Sequence, residues 1–127
     1  MLEMAILGPW IFFLFIGALD MGFYAYALIS LQAAARSAAL YTSTDSSTKT
    51  QSGAACTIVL GEMKYLRNAG TDCSSNPTVA ATAWTGPDSS AGSQVSVTYQ
   101  TLPLIPIPGL LSKQFTITRV VRMRLRG

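Results

Sequence analysis

One charge, Asp20, is all that falls between Glu3 and Arg36, and residues 4–19 carry none. A hydrocarbon core needs roughly 20 apolar helical residues, so the start of the chain accommodates one membrane span. The apolar pattern does not stop there. It continues to Tyr41, and read as one helix over 2–41 it is about 60 Å long, twice the hydrocarbon thickness. The outer half then leaves the bilayer and must still cover its face of Leu28, Leu31, Ala35 and Ala39. Packing against a folded head would do this.

Two other origins for such a run fit less well. A cleavable secretory signal has an apolar region of about 7–15 residues behind basic residues. Here no Lys or Arg precedes the run, and the run is longer. An ordinary single-span anchor accounts for the length but not for Glu3, Gly8-Pro9 and Asp20 together. Pro9 has no N–H to donate to the Ala5 carbonyl, so Gly8 and Pro9 mark an expected loosening or break of the helix. Asp20 costs about 2.5–3.5 kcal/mol at a bilayer centre and less near the headgroups. It therefore sits at the outer headgroups or finds a cation when helices pack together. Arg36 is the nearest cation along the helix, roughly 24 Å away and out of reach within one chain. The expected pairing joins Asp20 of one subunit to Arg36 of an axially staggered neighbour, with Glu3 as the third assembly charge. Ala18/Gly22, Ala34/Ala38 and Ala35/Ala39 are each four residues apart. That spacing lets helix backbones approach closely, although an alanine run also follows from helix propensity alone.

Beyond residue 42 the chain becomes an ordinary polar-apolar mixture. The division expected is a membrane and polymerisation helix over 1–42 and an extracytoplasmic head over 43–127. A head of about 85 residues buries only about 60–65% of its unfolded surface and needs a further source of stability. Cys56 and Cys73 offer one, because a chain with a membrane segment and an even cysteine count points to an oxidising compartment. Their bond would close a loop of about 18 residues, worth about 3 kcal/mol. The alternative is two unpaired thiols. With no histidine in the chain, the pair makes a poor metal site, and no metal is expected.

Within the head, residues 42–52 are almost fully polar and poor in helix formers, so they form an exposed connector. The spacing of Ala55, Ile58, Val59, Met63 and Leu66 predicts a helix over 53–68, with Ser52 as N-cap and Asn68 or Gly70 as stop. Asn76-Pro77 then opens a β region. Strands are expected over 79–84, 93–100 and 114–125. Val95, Val97 and Tyr99 share one face of the second strand. In the third, Phe115, Ile117, Val121 and Met123 point inward, although Arg119 interrupts that face. The product is an α+β fold: a long helix, one short helix and a three-stranded antiparallel sheet laid on the helices.

Residues 102–111 hold three prolines yet are strongly apolar. Leu104, Ile105, Ile107, Leu110 and Leu111 are expected to be covered, by a neighbouring subunit or the membrane or else by the head itself. Five of the nine basic residues, Lys113, Arg119, Arg122, Arg124 and Arg126, crowd the C-terminus. Such a cluster could attract acidic partners, but it reads as a solvated or interface-paired edge, and no nucleic acid is expected.

Several segments together resemble the TadE-like family of pilins and pseudopilins, from tight-adherence systems within the type IV filament superfamily. They are the acid-to-proline spacing of Glu3 and Pro9, the apolar run, Gly17-Ala-Leu-Asp-Met-Gly22, and Gln32-Ala-Ala-Ala-Arg-Ser-Ala-Ala-Leu-Tyr41. The ending Val120-Val-Arg-Met-Arg124 is also similar. The resemblance implies a leader removed by a prepilin peptidase. It also implies an acid near the new N-terminus, matched by Glu3, that neutralises a neighbour's terminal amine during assembly. The chain departs from the pattern in lacking a basic leader and in carrying the acid third rather than fifth.

These readings converge on a structural subunit of an extracellular Tad-type pilus serving adhesion or surface attachment. Its expected partners are copies of itself, the inner membrane before assembly, the peptidase and the assembly machinery. A minor pseudopilin that primes assembly is an alternative, since the resemblance implies minor components too. A single-span anchored binding module is another. An enzyme is not expected: there is no histidine, no phosphate-cradling glycine motif and no nucleophile with a base, and no cofactor is implied.

Overall fold

A computed structural model of the chain describes residues 2–103 and 114–126. Its elements are α1 (Leu2–Thr42), α2 (Ser52–Met63), β1 (Thr78–Thr85), β2 (Ala91–Gln100) and β3 (Thr116–Arg124). The order is that of an α+β fold with one long apolar helix ahead of a small head.

The 41 residues of α1 form one uninterrupted helix that passes through Pro9, where the sequence led us to expect a break. A proline removes one hydrogen bond, to the carbonyl four residues before it, and the turns on either side keep theirs. In the outer half, Ala27, Leu31, Ala34, Ala35, Ala38, Ala39 and Thr42 are buried. Their spacing of three and four residues makes one continuous stripe. The stripe joins Ala55, Val59 and Met63 of α2 and Ala81, Val95, Val97, Tyr99 and Ile117 of the sheet in a single core. Five alanines along the stripe present almost no side chain, so the head packs close to the α1 backbone. Leu28 lies at the rim of the core, half-buried.

The second helix stops at Met63, five residues short of the expected end. Tertiary contacts explain the difference. The Tyr99 hydroxyl donates to the Arg67 carbonyl, and the Asn68 side-chain amide donates to the Gln100 carbonyl at 3.2 Å. Asn68 itself adopts a left-handed conformation at φ 67°, which Asn tolerates better than most residues and which ends any helical continuation. Ser52 is not the cap. Gln51 precedes the helix without a side-chain capping bond, and the Ser52 hydroxyl instead accepts from the Ala81 N–H at 3.0 Å, tying α2 to β1.

The sheet has the order β1-β2-β3 with both pairings antiparallel. Val95, Val97 and Tyr99 of the central strand face the helices and are buried. Gln94, Ser96 and Thr98 alternate with them on the other face and are half-exposed. Both strands of the β1–β2 hairpin extend a residue or two beyond the sequence-based bounds, because Ala91 and Gly92 pair with Thr85 and Trp84. Gly92 is required there. A Cβ would sit 2.7 Å from the Met123 carbonyl oxygen and 2.7 Å from the Trp84 ring.

The third strand differs from expectation at its start. Ile117 is buried, and Val121 and Met123 are half-buried, but Phe115 lies before the strand and is 57% exposed. Arg119 shares the parity of Ile117 and Val121 yet stays exposed, which an edge strand permits. At the far end of the molecule a buried polar contact locks α1 to the sheet. The Ser93 hydroxyl donates to the Thr42 hydroxyl at 2.8 Å, and Thr42 in turn donates to the Ala39 carbonyl at 3.2 Å. Nearby the Arg126 N–H donates to the Ser43 carbonyl at 3.0 Å.

Candidate functional site

Among the described residues the head packs on the outer part of α1, and Ile16 is a buried residue below it. Every described side chain from Glu3 to Phe15 is exposed, including Trp10 at 69% and Phe12 at 63%. The stretch Glu3–Thr42 is long and apolar enough to cross a membrane. Among the described residues, a Cβ added at Gly8, Gly17 or Gly22 would meet nothing within 4 Å. Each costs about 1 kcal/mol of helix stability relative to alanine.

The residues singled out in the sequence separate into three groups. Glu3 is exposed in the first turn of α1, and Gly8 and Pro9 are exposed beyond it. Ala18 and Gly22 are also at the surface, where they line an open depression of about 260 Å³ with Leu19, Phe23 and Tyr26. Ala34, Ala35, Ala38 and Ala39 are fully buried, so the close approach they allow is to this chain's own core. Asp20 is half-buried and Arg36 exposed. Both lie on α1, where the helical rise separates them by about 24 Å.

In the head, Cys56 and Cys73 form a disulfide, with Cα atoms 5.9 Å apart. It joins α2 to the irregular segment before β1. Leu104, Ile105, Ile107, Leu110 and Leu111 lie outside the described residues, as does Lys113. Among the described residues no group of three or more His, Cys, Asp or Glu side chains could hold a metal ion.

Three features had little trace in the sequence. The Tyr24 and Phe115 rings meet edge to face with centroids 5.8 Å apart, at the inner end of the head. Arg122 stacks 5.7 Å from the Trp84 ring centre and donates from Nε to Gln94 at 2.7 Å. Arg124 reaches Asp88 at 2.7 Å, both exposed. The C-terminal arginines thus belong to an edge strand and are partly engaged along it. Only the strand register brings Trp84, Gln94 and Arg122 together, and register is not written in any one segment.

Three carboxyls in head loops are held below the usual aspartate range, all at the surface. For Asp45 the Ser46 N–H is the chief cause, joined by the Ser47 and Ser46 hydroxyls. For Asp72 it is the Ser74 hydroxyl and then its N–H. For Asp88 it is the Ser90 hydroxyl, and Arg124 adds little. Burial pushes the Tyr99 hydroxyl up.

No curated protein and no solved structure matches the chain. The family model described as TadE-like protein matches residues 1–40, a segment that ends inside α1, and the head lies beyond it. The chain is therefore similar to TadE-like proteins through its N-terminal helix, the element that carries Glu3, Pro9, Asp20 and Arg36.

Proposed function

We propose that the chain is a structural subunit of an extracellular Tad-type pilus, held in the inner membrane by α1 and moved from there into a filament by packing α1 against its own copies. The observation that carries this reading is the exposed apolar helix from Glu3 to Phe15, which a head with a complete core of its own leaves uncovered. Such a surface needs lipid or other helices around it. The open glycines at 8, 17 and 22 support the second environment, because small residues let helix backbones approach closely. The TadE-like match over the same segment supports a pilus-related role. The role is structural rather than enzymatic, with adhesion or surface attachment as its purpose. The partners are further copies of the chain and, through the family, a prepilin peptidase and assembly machinery.

Asp20 and Arg36 set the proposed register. A neighbour displaced along the axis by about 24 Å would bring its Arg36 level with Asp20. Charge swaps test this. Asp20→Arg and Arg36→Asp should each abolish sheared surface filaments, and the double swap should restore them. A double swap that restores none defeats the pairing. Filaments composed almost wholly of this chain support the subunit role, whereas trace abundance with loss of filaments on deletion assigns it a priming role instead.

A further inference from the structure

The end of the head nearest the start of α1 gathers exposed aromatic, aliphatic and cationic side chains. β3 runs alongside α1 in the same direction, because Phe115 meets Tyr24 at one end and Arg126 meets Ser43 at the other. Among the described residues the inner end of the sheet is therefore the end at Tyr24. Thr101 and Phe115 pair there, the Thr101 N–H donating to the Phe115 carbonyl at 2.9 Å. The segment after α2 is drawn to the same end by the Tyr99 bond to Arg67 and the Asn68 bond to Gln100. This assembles Leu102 at 45% exposure, Phe115 at 57% and Tyr65 at 76%. Lys64 and Arg67 are exposed in the same segment as Tyr65, with the Lys64 ammonium 4.7 Å from the Tyr65 ring centre. Aromatic rings, aliphatic side chains and cations are what a bilayer's interfacial layer accepts.

The height of this surface agrees with its chemistry. A 30 Å hydrocarbon core takes roughly 20 residues, and Asp20 is the first charge after the uncharged run 4–19, so the outer boundary of the span falls at about residue 21. Tyr24 is then about 4.5 Å above the boundary, and the interfacial layer is about 5–7 Å deep on each side. The Tyr24–Phe115 contact falls inside that layer. The surface is also continuous with α1, whose Phe23 and Tyr26 are about half-exposed at the same level.

We propose that this inner end of the head, formed by Leu102, Phe115, Tyr65, Lys64 and Arg67 around Tyr24, seats on the interfacial layer of a bilayer containing acidic phospholipid. The inference rests on the reading of α1 as a membrane span. It adds that the head does not swing free above the membrane but is parked on it, so that entry into a filament must strip lipid from the head as well as from the helix.

The test uses the full chain in nanodiscs of phosphatidylcholine and phosphatidylglycerol with a nitroxide quencher at headgroup depth, and a second set with the quencher deep in the acyl chains. Single fluorophores are placed at Phe12→Cys in the span, Gln114→Cys beside the seating surface and Ser89→Cys at the far turn. Strong headgroup-depth quenching at 114, little at 89, and deep quenching at 12 is the expected result. Lys64→Glu with Arg67→Glu should then weaken the seated state, each reversed residue removing at least about a fivefold preference at an anionic surface. Equal weak quenching at 114 and 89, with 12 still quenched from the deep position, overturns the seating while leaving the span intact. Loss of deep quenching at 12 overturns both. Quenching at 114 that survives both charge reversals and the further change Phe115→Ser overturns the assigned surface.

Discussion

Removing the disulfide gives the sharpest test of how this head is held together. Cys56 and Cys73 are separated by 17 positions, so their bond closes a loop of about 18 residues in the unfolded chain, worth about 3 kcal/mol of folding free energy. The folded side of the balance should change little. The segment between them and β1 is also held by the Gly70 N–H bond to the Asn76 carbonyl, by the Asn76 side-chain amide on Asn68, and by Tyr99 on Arg67. None of these needs the sulfur atoms. Cys56→Ser with Cys73→Ser should therefore keep the native fold but unfold at a lower temperature. For a unit of this size 1 kcal/mol corresponds to about 4–8 °C, so the expected fall is about 12–24 °C. Thermal unfolding of the full chain in a mild detergent, followed by the near-ultraviolet circular dichroism of its tyrosines, reads the change. Reduced wild type should match the double variant. A fall smaller than about 4 °C, under 1 kcal/mol, would refute the argument that a small core leans on this bond.

Three other outcomes are expected. Gly92→Ala should destabilise the head by about 1–3 kcal/mol. Adding Trp84→Ala should relieve only part of that, because the Met123 carbonyl contact remains; full rescue in thermal unfolding would contradict the geometry. Leu31→Ala should cost about 2–5 kcal/mol, since Leu31 is fully buried, whereas Leu14→Ala at 64% exposure should leave the unfolding temperature of the head unchanged in the same detergent. Acid should weaken the head: the folded-state depression of Asp45, Asp72 and Asp88 favours folding above the unfolded aspartate range near 3.8, and that contribution is lost as pH falls through the lower folded values. Tyr99 acts at the other extreme, since its raised folded value makes stability fall as pH climbs past the ordinary tyrosine value of 10.0; flat stability across both limbs would count against these assignments.

The sequence made some of this legible and hid the rest for physical reasons. Periodicity is local, so the apolar face of α1, the helical face of α2 and the alternation in β2 could be read from neighbouring residues. The end of α2 could not. Leu66 fits the helical spacing, but Tyr99 and Gln100, more than thirty residues away, claim the Arg67 carbonyl and the Asn68 amide for a different backbone path. Ser52 looked like a cap for the same reason that it is not one: its hydroxyl is a good acceptor, and a β1 backbone N–H reached it first. Phe115 fitted an inward alternation, yet the strand begins one residue later and the ring turns to Tyr24. The family match ends at residue 40, where the strongest periodic signal also ends.

The burial pattern of α1 limits how copies of this chain can meet. Of six small residues whose spacing permits close helix approach, Ala34, Ala35, Ala38 and Ala39 are consumed by the head's own core. Opening that core to a neighbour would expose Val59, Met63 and Val95, each fully buried, at roughly 1.5–3 kcal/mol per side chain. No helix–helix contact in lipid repays several such losses, because lipid is as apolar as the side chains exchanged. On the proposed assembly, close approach between copies would be confined to α1 below the core, where Ala18, Gly22 and the apolar run from Met4 to Phe15 are exposed. In the proposed pairing Arg36 would meet a neighbour from the exposed side of the helix, opposite the core. On the proposed assembly, the helix surface left for copies is the one that the head's core does not occupy.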